Sequence, residues 1–78
     1  MSDINMDDIH IKIGQNVSMY RHNAGLSQLA LSLKLNHSSV SIVSSGERFY
    51  RKKHFNIEHL FQIAKILEID VCKLLAQD

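Results

Sequence analysis

The chain of 78 residues contains no proline. Nothing in it has to interrupt a helix, and a proline-rich extended linker is excluded. Cysteine occurs once, at Cys72, which rules out an internal disulfide and any zinc site built mainly on thiolates, and fits a reducing, cytoplasmic setting. Cys72 lies in a short apolar stretch with no histidine near it in sequence, so it reads as a core side chain rather than a nucleophile. Gly14, Gly25 and Gly46 are isolated from one another, so there is no glycine-rich phosphate loop. No apolar run has the length needed to span a bilayer, and Asp3, Asp7 and Asp8 stand where a signal peptide would be basic. What is present, 45% hydrophobic and 22% charged residues, is the composition of a folded globular chain. Its length allows one small core and leaves no room for a deep catalytic cleft. One soluble domain is expected, with no enzyme activity, no cofactor, no small-molecule substrate and no membrane association.

The net charge of +1 conceals a strong asymmetry. Ahead of residue 12 there are three acids and no base. From Lys12 to Lys53 seven Lys and Arg face one acid, Glu47, and beyond that four acids face two lysines. A basic middle flanked by acidic ends directs attention to residues 12–53 as the place where a polyanion would be met.

Periodicity predicts an all-α chain. Ile9, Ile13, Val17 and Tyr20 recur every three or four residues, as on one face of a helix running from Met6 to about Asn23, although the first eight residues could also lie outside the folded part. Ala24-Gly25 ends that helix, and Ser27 caps a second of about eight residues whose apolar face is Leu29, Ala30 and Leu33. Leu35-Asn36-His37 reads as a turn, with Asn36 left-handed, and Ser38 as the cap of a third helix through about Ser45. Residues 47–55 lack a helical period and read as an extended basic loop. Asn56 caps a fourth helix with the stripe Ile57, Leu60, Phe61, Ala64 and Leu67, widened by Ile63 and Ile66. After Glu68-Ile69-Asp70, a last short helix carries Val71, Leu74 and Leu75, capped by Asp70.

Three segments carry a resemblance: Gly25-Leu26-Ser27-Gln28, then Ile57-x-x-Leu60-x-x-Ile63-Ala64-Lys65-x-Leu67, and finally Asp70-Val71-Cys72-Lys73-Leu74-Leu75. With a short serine-rich helix between the first two, residues 13–75 resemble the lambda-repressor-like (Cro/C1, XRE) helix-turn-helix family. The middle departs from the family's pattern, which has alanine early in helix two, glycine in the turn and Ile-x-x-Ile-Glu in helix three. Matching Glu47 to the family's glutamate puts glycine at an apolar position and needs one inserted residue; an ungapped fit uses Ile42 instead. The Glu47 register is preferred. The resemblance implies a compact five-helix domain and a transcriptional regulator that acts by occupying an operator as a dimer.

In that arrangement the second helix of the pair enters the major groove of double-stranded DNA, and its first side chains reach base edges. Here those are Ser38, Ser39, Ser41, Ser44 and Ser45. Serine bonds several bases without discriminating sharply, and no Arg, Lys, Asn or Gln lies between residues 38 and 45 to read guanine or adenine bidentately. The same serines also suit caps and solvated surface. Gln28, at the start of helix two, would lie beside the DNA backbone, or is an ordinary surface glutamine. Arg48, Arg51, Lys52 and Lys53, around Tyr50, would neutralise phosphates, or form a solvated loop. Arg21 and His22 are weaker contacts. The resemblance puts a homodimer interface at the C-terminal helices, where Phe61, Ile66, Ile69 and Leu74 supply the surface unless the monomer core takes them. No metal site is expected, since His54 and His59 are five apart rather than three or four. The alternative to DNA binding is a protein-interaction module of the same fold, antitoxin-like or anti-repressor, motivated by the serine-only helix.

Overall fold

The structure, a computed structural model, describes residues 3–36 and 39–78. The expected cap Ser38 therefore lies outside the described residues. Five α-helices follow one another: α1 (Met6–Asn23), α2 (Gln28–Lys34), α3 (Ser41–Arg48), α4 (Ile57–Leu67) and α5 (Val71–Leu75), with a 3-10 turn, Tyr50–Lys52, between α3 and α4. Among the described residues there is no strand. The Cα radius of gyration is 12.0 Å, close to the roughly 11.5 Å of a compact chain of this length.

Most helix ends are made by local chemistry. The Asn5 side chain accepts from the amides of Asp7 and Asp8 at 3.0 and 3.3 Å, while those two carboxylates complement the positive end of α1. Gly25, at φ 73°, turns the chain out of α1. The amide of Gly25 donates to His22 O and that of Leu26 to Arg21 O, which consumes two of the carbonyls a helix end leaves open. Ser27 accepts from Ala30 N at 3.0 Å, Asn56 from His59 N at 2.7 Å, and Asp70 from Cys72 N at 2.9 Å, the caps expected at those positions. Asn36 is left-handed at φ 65°.

The third helix differs from its expectation at both ends. It begins at Ser41 and continues to Arg48. Ser39 Oγ takes the Ser41 amide at 3.0 Å, a local bond that competes with an earlier start. Nor are residues 47–55 an extended loop: Glu47 and Arg48 are helical, and Phe49, Arg51 and Lys52 are all left-handed, at φ 53°, 52° and 62°. Each left-handed non-glycine residue costs about 1–2 kcal/mol. The reversal brings Phe55, 3% exposed, back onto α3, where its ring covers Gly46.

The core draws on every helix: Ile13 and Val17 of α1, Leu31 of α2 with Leu35 just after it, Val43 of α3, Phe55, then Leu60, Ile63, Ala64 and Leu67 of α4 and Leu74 of α5. Ile9, Tyr20, Ile66, Ile69 and Val71 pack around it, partly buried. In α2 the inward residues are Leu31 and Ser32, whereas Leu29 and Leu33 of the expected face are exposed. Both faces of α2 are apolar, so periodicity could not choose between them. On α4, Ile57 and Phe61 are 73% and 58% exposed, because the arc Leu60, Ile63, Ala64, Leu67 already fills the inward side. Leu74, expected in a surface patch, is fully buried, and Cys72, expected in the core, is exposed. Two residues along a helix is a turn of about 200°, so burying Leu74 directs Cys72 outward. A hydrogen bond with the Asp70 side chain, and that carboxylate's charge, push the Cys72 pKa up, which keeps the exposed sulfur a thiol.

Two interior features hold the frame. Buried Asn16 donates through Nδ2 to Leu74 O at 3.0 Å and Ala76 O at 2.7 Å, fixing the end of α5 against α1. Gly14 lets α1 meet α3 backbone to backbone: a Cβ there would lie 2.6 Å from the carbonyl oxygens of Gly46 and Glu47. Among the described residues no helix is long and apolar enough to cross a membrane.

Candidate nucleic-acid interface

The register of α3 follows from its own sequence. At about 100° per residue, Val43, Gly46 and Glu47 fall on one side, and all three are buried. Ser41, Ser44, Ser45 and Arg48 fall opposite; Ser41 and Arg48 are exposed, Ser44 and Ser45 half-buried. A helix one side of which is core presents the other as a polar stripe, and here three hydroxyls end in a guanidinium. Because α3 extends to Arg48, the stripe carries one side chain capable of bidentate guanine reading, which the serines lack. Ser39 is committed locally, its hydroxyl 2.6 Å from that of Ser41.

The basic residues after α3 are organised by Tyr50. The Arg48 guanidinium stands 5.3 Å from the Tyr50 ring centroid and that of Arg51 5.2 Å from it, so one exposed aromatic carries two cations. Arg48 Nε also donates to Ser44 O at 3.4 Å. Lys52 reaches Asp7 at 3.4 Å across solvent, a pair worth at most about 1 kcal/mol, which leaves its charge available. Between α3 and this segment runs an open cleft of about 490 Å3 lined by Ser41, Ile42, Ser45, Gly46, Lys52, Lys53 and His54. The tertiary structure thus brings Ser41, Ser45, Lys52 and Lys53 to one place, with Arg48 and Arg51 on the adjoining Tyr50.

Gln28 stands apart. Its Nε2 donates to Glu47 Oε1 at 3.0 Å, and it lines a second groove with Arg21, His22, Gly25 and Leu29. The partner of that bond is the centre of a network the sequence did not disclose. Arg21 Nε and Nη2 donate to the two Glu47 carboxylate oxygens at 2.6 and 3.0 Å, and Nη1 donates to Leu26 O at 2.8 Å. The pair joins α1, the turn before α2, and α3, with side chains 6% and 4% exposed. Arg21 is therefore a buried strut and not a DNA contact: a guanidinium bonded through all three of its nitrogens beneath the surface does not reach a phosphate. His22 is exposed, with Nδ1 2.8 Å from Ser18 O. The only signal for the strut was the solitary Glu47 in a basic stretch.

A second arrangement was also not legible. His10 of α1 and His54 lie face to face with ring centroids 3.7 Å apart, and Phe49 stacks against His10 at 6.0 Å. His54 thus pairs with His10, and among the described residues no group of three or more His, Cys, Asp or Glu side chains is placed to hold a metal ion. In comparisons with protein-family models, characterised proteins and solved structures, the chain matches none of them.

Proposed function

We propose that the chain is a DNA-binding transcriptional regulator of the lambda-repressor-like helix-turn-helix kind, with α3 in the major groove and the basic segment after it on the phosphates. The observation that carries this reading is the polar stripe Ser41, Ser44, Ser45, Arg48 directly opposite the core face of α3, bordered by Arg51, Lys52 and Lys53. A short helix backed rigidly by a core and flanked by cations is the form in which base edges and phosphates are met together. Gln28 contributes through the second N–H of its Nε2, the first being given to Glu47, and through the start of α2.

Binding by such a surface releases counterions, so affinity for random duplex DNA should fall steeply with salt. Arg51 and Lys52 are left-handed, and asparagine tolerates that conformation better than alanine. The variant Arg51→Asn, Lys52→Asn, Lys53→Ala should therefore stay folded, while the slope of log K against log salt shrinks by about one for each phosphate that is no longer neutralised. Absence of binding at low salt would sink the DNA reading and favour the interaction module.

Action at an operator further implies a homodimer addressing half-sites about one helical turn apart. The exposed pair Ile57 and Phe61, one turn apart on α4, is the surface we assign to it. Phe61→Asp should leave folding intact and convert a dimer to monomer in sedimentation equilibrium; a natural chain that is monomeric at high concentration would contradict the assignment.

A further inference from the structure

His54 is both a wall of the cleft beside α3 and one face of the His10–His54 stack. Its Nδ1 lies 3.2 Å from Phe55 O. A carbonyl can only accept, so the neutral ring carries its hydrogen on Nδ1 and its lone pair on Nε2. Protonation then adds a second N–H, at Nε2, and a positive charge at the cleft. The stacked rings, 3.7 Å apart and 13° from parallel, repel if both are charged, so the pair takes up one proton as a unit. Burial, and then the charge of His54, lower the pKa of His10, with Asp7 acting in the opposite sense. Of the two rings, His54 is the one that lines the cleft. The charged groups facing the pair are Asp7 from α1, already beside Lys52, and Lys52 and Lys53 from the loop. From α3 the cleft receives only the hydroxyls of Ser41 and Ser45, and among the described residues no carboxylate lines it.

We propose that this cleft is a phosphate-oxyanion site controlled by proton uptake on the His10–His54 pair, so that phosphate groups are held more tightly as pH falls through the histidine range. The site deepens the DNA reading and rests on it for its polymeric ligand; a free oxyanion is the other source of the same chemistry. The sign follows from reciprocity. An anion next to His54 stabilises the imidazolium, and protonation strengthens anion binding by the same factor. The gain is present where the pair is protonated and is lost as pH rises through the histidine range.

The test is an NMR titration of the His10 and His54 rings in the full chain at constant ionic strength, alone, with sulfate, and with random duplex DNA. Sulfate is a tetrahedral dianion that, unlike phosphate, does not itself titrate near neutrality. DNA is expected to raise the His54 pKa, sulfate to raise it less, and DNA affinity to increase about 3- to 10-fold from about pH 8 to about pH 5.5. His54→Phe keeps a stacked ring without a titrating nitrogen and should abolish that increase; His54→Gln provides a second variant should the phenyl ring disturb the fold. If DNA binds but neither ligand moves the His54 pKa, or if His54→Phe keeps the full pH dependence, this proposal is overturned while the DNA reading stands. If sulfate raises the pKa and DNA does not bind at low salt, the DNA reading fails and the cleft remains a site for free oxyanions.

Discussion

Arg21→Ala is expected to destabilise the chain by about 3–5 kcal/mol, the cost of leaving a buried carboxylate without its counter-ion. A domain of this length has roughly 4–12 kcal/mol in total, so much of the variant should be unfolded under mild conditions. Three bonds disappear together, two to Glu47 and one to Leu26 O, and Glu47 retains only the Gln28 amide. Glu47→Ala should be comparably damaging, since it strands the charge of an arginine whose side chain is 6% exposed. The interaction itself is a separate quantity from the damage of breaking it. Arg21→Met combined with Glu47→Leu should lose much less than the two single alanine changes added together, because no buried charge is left unpaired. Urea denaturation of the four proteins makes this comparison. An Arg21→Ala variant within about 1 kcal/mol of the natural chain would mean that water or another group replaces the strut.

The second large effect is expected at Gly14. A Cβ at this position would sit 2.6 Å from two backbone oxygens of α3, and backbone held in a helix cannot step aside as a side chain does. Alanine adds up to about 1 kcal/mol of helix propensity, but separating α1 from α3 exceeds that, and a net loss of about 2–3 kcal/mol is expected for Gly14→Ala. Gly46 provides the internal comparison. Its added Cβ would meet the Phe55 ring at 2.6 to 2.8 Å, a contact that a tilt of the ring relieves. Gly46→Ala should therefore cost less than Gly14→Ala, and thermal denaturation that ranks them the other way would refute the account of the α1–α3 contact. Since α3 carries the polar stripe, Gly14→Ala should also weaken the proposed DNA binding at temperatures where the variant is still folded, although Gly14 itself is buried against the backbone of α3.

The parts of the fold that could be read from the chain are those made by neighbours in sequence. Asn56 and Asp70 cap α4 and α5, and Gly25 and Ser27 end one helix and begin the next, because each of these jobs is done by a side chain or a φ angle within three residues of the amide it serves. The stripe of α4 was legible for the same reason, being strong over eleven residues. Its flanks were not: Ile57 and Phe61 are as apolar as Leu60 and Ile63, and only the position of the remaining helices decides which are covered.

The candidate site divides along the same line. A serine-rich helix followed at once by a concentration of Arg and Lys, and α-helix as the regular structure of the chain, were legible because both follow from composition and short periods. Which serines face outward, how Tyr50 gathers Arg48 and Arg51, and that Lys52, Lys53 and His54 close a cleft against α3 were decided by the tertiary structure. Phe55 must return onto Gly46, and Arg21 must find Glu47 twenty-six residues away. Contacts of that span contribute only when the whole core forms, so no local pattern announces them.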